Sequence, residues 1–473
     1  MRMIGWSSAL AAVCLAWSSA ALADGGYSVV VSQATWETPQ WKPVVDALVA
    51  KHGAEVVPYG GSVGDSLPAL REQFPRYICF VAKPAEATRE FVMEVNRLTR
   101  RLDDDPYVDA MWGILTGYDE ACALRIARHA EPLEIHRVAA ATEVELSVCD
   151  EGLWYCELSQ GKMVRKLSGQ EPENLPAPPD TTEALALALN RYQAQLFVTS
   201  GHATERDWQI GYRYRGGQFR SEKGQLFGLD TQRRKFPIRS DNPKVYLAVG
   251  NCLIGHIDGT EAMALAFMNS AGVNQMVGYT TATWYGYGGW GLLDYFVEQP
   301  GRFTLAEAFF ANQQALIHRL ETYFPGADGD QPVQELSPKA RQAGLSPNDA
   351  RGLKYDRDVV AFYGDPAWSA RMAPGRLAWE QIFRQKDGEY RLEIKPLRGE
   401  KSFRPVNTNG SQRGGRPIVQ WLPHRIRPDS VRLSQGADLE PLVADDFLLV
   451  PLPKECDAKR TYQVVFHASQ ESQ

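Results

Sequence analysis

The sequence predicts an α/β region built on a parallel sheet with helices on both faces, followed by an all-β domain. Three observations carry that expectation. Between Tyr27 and about His129, β-branched runs alternate with segments of helical period. The alternation resumes at Asp180, after a proline-rich stretch, and from about Arg384 to Gln473 it gives way to short alternating strands. Strand and helix in alternation require crossovers that lie over the faces of a parallel sheet, whereas closely spaced short strands build a sandwich. The expected organisation is a leader over 1–23, an α/β unit over 24–179, a second α/β unit over 180–383 and a β-sandwich over 384–473.

In the first unit, the strand at Tyr27-Ser-Val-Val-Val precedes Trp41, Val44, Val45, Leu48 and Val49, which fall at i, i+3, i+4, i+7 and i+8. That spacing buries one helix face, and Gly53 ends the helix. Strands at 54–58 and 77–81 alternate with helices near 66–74 and 87–102. Residues 136–167 read as a β-hairpin excursion and 168–179 as a linker. In the second unit, Asp180-Thr-Thr-Glu183 has the pattern of a capping box opening a helix to about Tyr192. A strand at 195–199, a glycine-punctuated hairpin region at 209–238, strands at 244–249 and 275–279, and helices at 260–271 and 304–323 follow. The C-terminal strands include 389–394, 446–450 and 461–466.

Of the 473 residues, 44% are hydrophobic and 23% charged, which excludes disordered, collagenous and coiled-coil classes. Fifty-one Lys and Arg against 57 Asp and Glu give a net charge of −6, with one short basic run, Arg233-Arg234-Lys235. No nucleic-acid partner is therefore expected. Arg2, the mostly apolar Met3–Trp17 stretch and Ala21-Leu22-Ala23 before Asp24 read as a secretory signal peptide. No later stretch reaches the ~18 apolar residues that span a bilayer, so the expectation is an exported protein, in the periplasm, at the cell surface or outside the cell, with no integral membrane segment once the signal is removed. Six cysteines follow the signal. Cys149 and Cys156 flank a turn-like Asp150-Glu151-Gly152, so a local disulfide and two unpaired strand cysteines are both open.

Two strand ends carry chemistry: Phe197-Val-Thr-Ser-Gly-His202 and Leu247-Ala-Val-Gly-Asn-Cys252. Ligands of open parallel sheets bind beyond the carboxyl ends of the strands, so a thiol and an imidazole converge on one crevice. A thiol needs a nearby base to become nucleophilic, and the order, His first and Cys 50 positions later, suits a caspase-like dyad. Two plainer readings compete: Cys252 as a small core residue and His202 as a loop histidine.

Ser-Gly-His202-Ala, Gly-Asn-Cys252 and Phe362-Tyr-Gly-Asp-Pro366-Ala, taken in order, resemble gingipain-type cysteine peptidases of the caspase-like clan, from about residue 27 to 370. The resemblance implies a three-layer α/β/α catalytic region, an Ig-like sandwich behind it, and a polypeptide substrate. It implies Cys252 as nucleophile and His202 as general base and acid, with the N–H groups of Cys252 and Ala203 forming the oxyanion hole. Ala203 stands where the family usually has glycine. Asp109-Ala-Met-Trp-Gly113 resembles the family's Asp-x-x-Tyr-Gly segment, which implies a pocket floored by Asp109 for a basic residue before the scissile bond. A solvated, capping Asp103–Asp109 loop is the competing reading. Trp284, on the aromatic and glycine-rich stretch 278–290, is implied as a pocket wall.

The expected function is thus an exported cysteine endopeptidase, possible cleavage after basic residues included. The alternatives are an inactive binding or surface protein on the same fold and a transpeptidase-type acyl-transferase. A zinc site of Cys252, His256, Asp258 and His202 is a weaker reading, because its C-x3-H spacing lacks a second ligand pair. No metal and no cofactor are expected, and a structural calcium requirement is not legible in the pattern.

Overall fold

The computed structural model describes residues 26–327 and 335–471, so the signal-like segment 1–23 lies outside the described residues. Four strands open the chain: β1 (Tyr27–Ser32), β2 (Glu55–Tyr59), β3 (Tyr77–Val81) and β4 (Met111–Leu115). Short β5 (Leu133–Ile135) precedes β6 (Arg137–Ala140), β7 (Glu151–Tyr155), β8 (Lys162–Lys166), β9 (Glu173–Pro176) and β10 (Leu196–Gly201). A four-stranded antiparallel sheet follows, made of β11 (Asp207–Gln209), β12 (Gln218–Glu222), β13 (Gln225–Leu229) and β14 (Lys235–Ile238). Then come β15 (Lys244–Asn251), β16 (Val273–Tyr279) and β17 (Val360–Tyr363). Together they give one sheet of twelve strands, in the order β2-β1-β3-β4-β17-β16-β15-β10-β6-β7-β8-β9.

The two α/β units therefore share one sheet, joined by four-residue β17. It pairs antiparallel with β16 and touches β4 through the single rung Tyr363–Ile114. The central strands are wholly buried, as apolar runs such as Tyr27-Ser-Val-Val-Val require when helices cover both faces. Residues 136–167 do contain a hairpin, β7 antiparallel to β8, but it is no excursion: β6 lies parallel to β10 and β7 parallel to β6, extending the main sheet. The expected linker contributes the edge strand β9, whose Pro176 suits a strand with no further partner.

Cys149 and Cys156 are free and buried. They sit at opposite ends of β7 rather than across a turn. At ~3.3 Å per extended residue they are far beyond the ~7 Å Cα separation a disulfide tolerates, so of the two open readings the unpaired one holds.

The helix Lys42–His52 stops at Gly53, which adopts φ 63° as a left-handed cap, and Leu305–Tyr323 opens with a Thr304/Glu307 capping box. The Phe362-Tyr-Gly-Asp motif is a structural anchor. Asp365 accepts from Tyr27 Oη at 2.9 Å and Lys51 Nζ at 2.9 Å and contacts His52 Nε2 at 2.7 Å. Burial opposes its ionisation, but His52 and Lys51 overcome that and hold the carboxyl well below the usual range.

Behind the α/β region, β18 (Ala370–Met372) pairs with β5, and a sandwich follows. One sheet is β19 (Trp379–Lys386), β20 (Glu389–Pro396), β25 (Tyr462–His467) and β22 (Arg432–Gln435). The other is β21 (Ile418–Trp421), β24 (Phe447–Val450) and β23 (Leu442–Val443). Tyr390, Leu392, Leu448 and Val464 are part of its own core, while Val419, Trp421, Phe447 and Leu449 join the core of the α/β region.

Candidate functional site

β10 and β15 are adjacent and parallel, with Gly201 opposite Asn251. The next residue of each strand is a candidate, so His202 and Cys252 leave the sheet side by side, one ~4.8 Å strand spacing apart at the backbone. Just before this exit β15 carries an extra residue: Thr199 faces Ala248 and Ser200 faces Gly250. A bulge of this kind bends a strand and re-aims the residues after it. Buried polar contacts lock the two ends together. Thr199 Oγ1 donates to Asn251 Oδ1 at 2.6 Å, and Asn251 Nδ2 donates to Gly201 O at 3.2 Å. Gly201 takes φ 107°, a conformation open to glycine, and Leu253 is held at φ 61°, a strained value for a side chain of its size. The loop after Cys252 lies against β16, with Gly255 N–H donating to Tyr279 O at 2.9 Å. A Cβ on Gly255 would stand 2.4 Å from Gly278 O, so only glycine permits that approach.

Cys252 is half-buried, and its Sγ accepts the Thr283 N–H at 3.2 Å. By contrast Cys79, Cys122 and Cys149 are buried, and burial raises all three thiols above the ordinary range. His202 is exposed and stacks on Tyr212, ring centroids 4.9 Å apart. Ala203 pairs with Trp208 in a bridge whose bonds run from Thr204 N–H to Asp207 O and from Gln209 N–H to His202 O. In such a pair the residue's own N–H turns away from its partner. Ala203 is not among the residues at positive φ, so alanine in place of glycine costs nothing at the backbone.

The loop bearing Trp284 is fixed beside Cys252. Thr283 Oγ1 donates to Asn251 O at 3.1 Å, Thr280 Oγ1 to Val359 O at 2.9 Å, and Tyr355 Oη to Ala282 O at 2.8 Å. Trp284 is 45% exposed, and the Arg351 guanidinium lies 5.6 Å from its ring centre. Cys252, His202, Ala203 and Trp284 thus converge on one rim of the sheet.

Asp109 does not join them. It precedes β4, with β17 and β16 intervening before β15, and it is 3% exposed. Its Oδ2 accepts the Leu102 N–H at 2.7 Å. Burial and the neighbouring Asp103 push its carboxyl up to about 9, so at neutral pH it carries a proton. A buried neutral acid offers a guanidinium no charge to pair with, and the implied pocket for a basic residue loses its floor.

The zinc reading finds no geometry either. Asp258 pairs with Arg206 at 2.6 Å, bridging the loops that follow the two strand ends, and His256 Nδ1 lies 3.3 Å from Arg89 Nη2. Burial, then Arg89, lowers the His256 pKa. Among the described residues one group brings three acidic or metal-ligating side chains within 4.8 Å of one another: Asp103, Asp105 and Asp445, donors that suit a hard cation such as calcium.

No family model matches the chain, and no curated protein is significantly similar to it. Three residues that contribute here carried no signal of their own in the sequence. Tyr212 lies in a run of alternating Tyr and Arg, Thr283 acts through its backbone, and Arg351 follows a loop residue by 67 positions yet packs on its ring.

Proposed function

We propose that the protein is an exported cysteine endopeptidase that hydrolyses polypeptide through a Cys252–His202 dyad. One observation carries the reading: the register of Gly201 against Asn251, which delivers an imidazole and a partly accessible thiol from neighbouring strands to the same rim. In this scheme His202 takes the thiol proton as Cys252 Sγ attacks the peptide carbonyl carbon. The oxyanion is received by the N–H groups of Cys252 and Ala203, each worth about 3–4 kcal/mol in the transition state. Collapse breaks the C–N bond, His202 gives its proton to the leaving amine, and a thioester remains. Water deprotonated by His202 then hydrolyses it, releasing the carboxylate and restoring the thiol.

Export rests on the pattern of residues 1–23. Among the described residues no helix is long and apolar enough to cross a membrane.

The test is labelling of the mature protein with a peptidyl thiol electrophile, the modified residue being mapped because Cys456 is also half-buried. Modification at Cys252, with peptide turnover lost in Cys252→Ala at an unchanged thermal midpoint, is the expected result. Equal turnover in that variant would overturn the assignment. Transfer of the acyl group to an added amine in preference to water would identify an acyl-transferase instead.

A further inference from the structure

A cavity of ≈ 1160 Å³ is lined by Arg351 and Tyr355, both of which pack on Trp284, and by Thr281, two residues before the Thr283 amide on Cys252 Sγ. Its charge is opposite to that of the chain. The protein carries −6 overall, yet six cationic side chains line this cavity: Arg97, Arg100, Arg101, Arg351, Lys354 and Arg357. Four acidic residues accompany them, and one of these, Asp358, is shared by three guanidiniums. Arg100 Nη2 donates to Asp358 Oδ1 at 2.6 Å, Arg97 Nε to Oδ2 at 3.3 Å, and Arg357 Nε lies 3.4 Å from Oδ1. Across the lining, six cationic side chains against four acidic ones leave the cavity cationic on balance. The Asp358 and Arg100 side chains are largely buried, so solvent screens them poorly, while the Arg97 side chain is half exposed. Arg351, itself in the lining, lies over the face of Trp284. A concave lining with more cations than anions favours an anionic guest, and guanidiniums bind carboxylates through paired, charge-assisted hydrogen bonds.

We propose that this cavity is the selectivity pocket of the cleft and that the substrate it selects is acidic polypeptide. An Asp or Glu side chain close to the scissile bond passes Trp284 and is bound by Arg351 above the Arg97–Arg100–Arg357 cluster. The proposal rests on the peptidase reading and reverses the basic preference that Asp109 was expected to confer.

Two measurements separate its failure from failure of that reading. In the first, matched peptides containing Glu or Asp and their Gln or Asn counterparts are titrated into Cys252→Ala by calorimetry, which needs no catalysis. The acidic peptides should bind about tenfold or more tightly, the advantage shrinking as salt rises. Arg351→Glu, made in the same background and checked for an unchanged thermal midpoint, should abolish the advantage, and Arg351→Gln should reduce it. In the second, kcat/KM for the same peptides is measured with the intact thiol, and the acidic members should again lead. Equal affinities for acidic and amide peptides, or an acidic advantage untouched by Arg351→Glu, would overturn the pocket. Acidic peptides that bind selectively but are never cleaved would retain the pocket and remove the peptidase.

Discussion

Among the described cysteines Cys252 combines a place at a strand end with an N–H donor on its sulfur, and His202 leaves the neighbouring strand beside it because Gly201 is in register with Asn251. The dyad predicts that His202→Ala slows alkylation of Cys252 by iodoacetamide near neutral pH and lowers kcat/KM by about 10²-fold or more. As an exposed side chain, its removal should move stability by less than about 0.5 kcal/mol. Identical alkylation rates in variant and parent would dismiss the dyad. Asp109 and Asp365 make opposite demands on pH. Asp365 ionises more readily folded than unfolded, so its contribution is present above the unfolded value of about 4 and is lost as pH falls below it. Asp109 is raised to about 9, so the folded chain binds the extra proton and its stability declines as pH climbs from about 4 to 9. Asp109→Asn keeps an oxygen for the Leu102 N–H and should raise the thermal midpoint at pH 8 more than at pH 5. A gain that is flat with pH would contradict the buried neutral acid. At this scale the places of His202, Cys252 and Trp284, two after strand ends and one on an aromatic loop, were legible in the sequence. Asp109 was not, because burial decides its charge and its local residues do not reveal burial.

Among the elements, β1, β3, β10 and the helix Leu305–Tyr323 follow directly from β-branched runs, helical period and the Thr304/Glu307 box. The helix Tyr287–Phe296 was concealed, since its glycines at 288, 289 and 291 each cost about 1 kcal/mol relative to alanine and read as a flexible loop. Packing explains them. A Cβ on Gly289 would fall 2.2 Å from Val249 O, the bulged residue of β15, so the helix can seat against the strand behind Cys252 only without a side chain there. Gly289→Ala is therefore expected to destabilise by about 1–3 kcal/mol despite alanine's better propensity. Chemical denaturation would show it, and a stabilised variant would mean that the seating is looser than described. β17 was hidden for a different reason: four residues inside a motif say nothing about a partner strand nearly 250 positions earlier.

At the scale of the molecule, the sandwich is built into the α/β region rather than tethered to it. Arg413 donates to Asp294 at 2.6 Å and also pairs with Glu298, while Arg416 lies over the Tyr287 ring and donates to Asn312 at 2.9 Å. These partners are buried. Removing the sandwich would leave the buried Asp294 and Glu298 carboxyls without their guanidinium partner, and losing one partner of a buried pair costs about 3–5 kcal/mol. A chain ending before Trp379 should fail to unfold cooperatively, whereas Arg413→Met, less disruptive, should lower the thermal midpoint measurably. A shortened chain with an undiminished midpoint would show the two parts to be independent. The sequence anticipated a sandwich from its alternating strands but not this embedding, which depends on ion pairs more than 100 positions apart. The distribution of tryptophans has an optical consequence. Among the described indoles only Trp284 is exposed, and it packs on Arg351 and Tyr355, which line the cationic cavity. Iodide, drawn to the guanidinium beside that ring, should quench a red-edge component of the intrinsic fluorescence that caesium leaves largely untouched, so the molecule carries its own emission reporter of cleft occupancy without any attached dye.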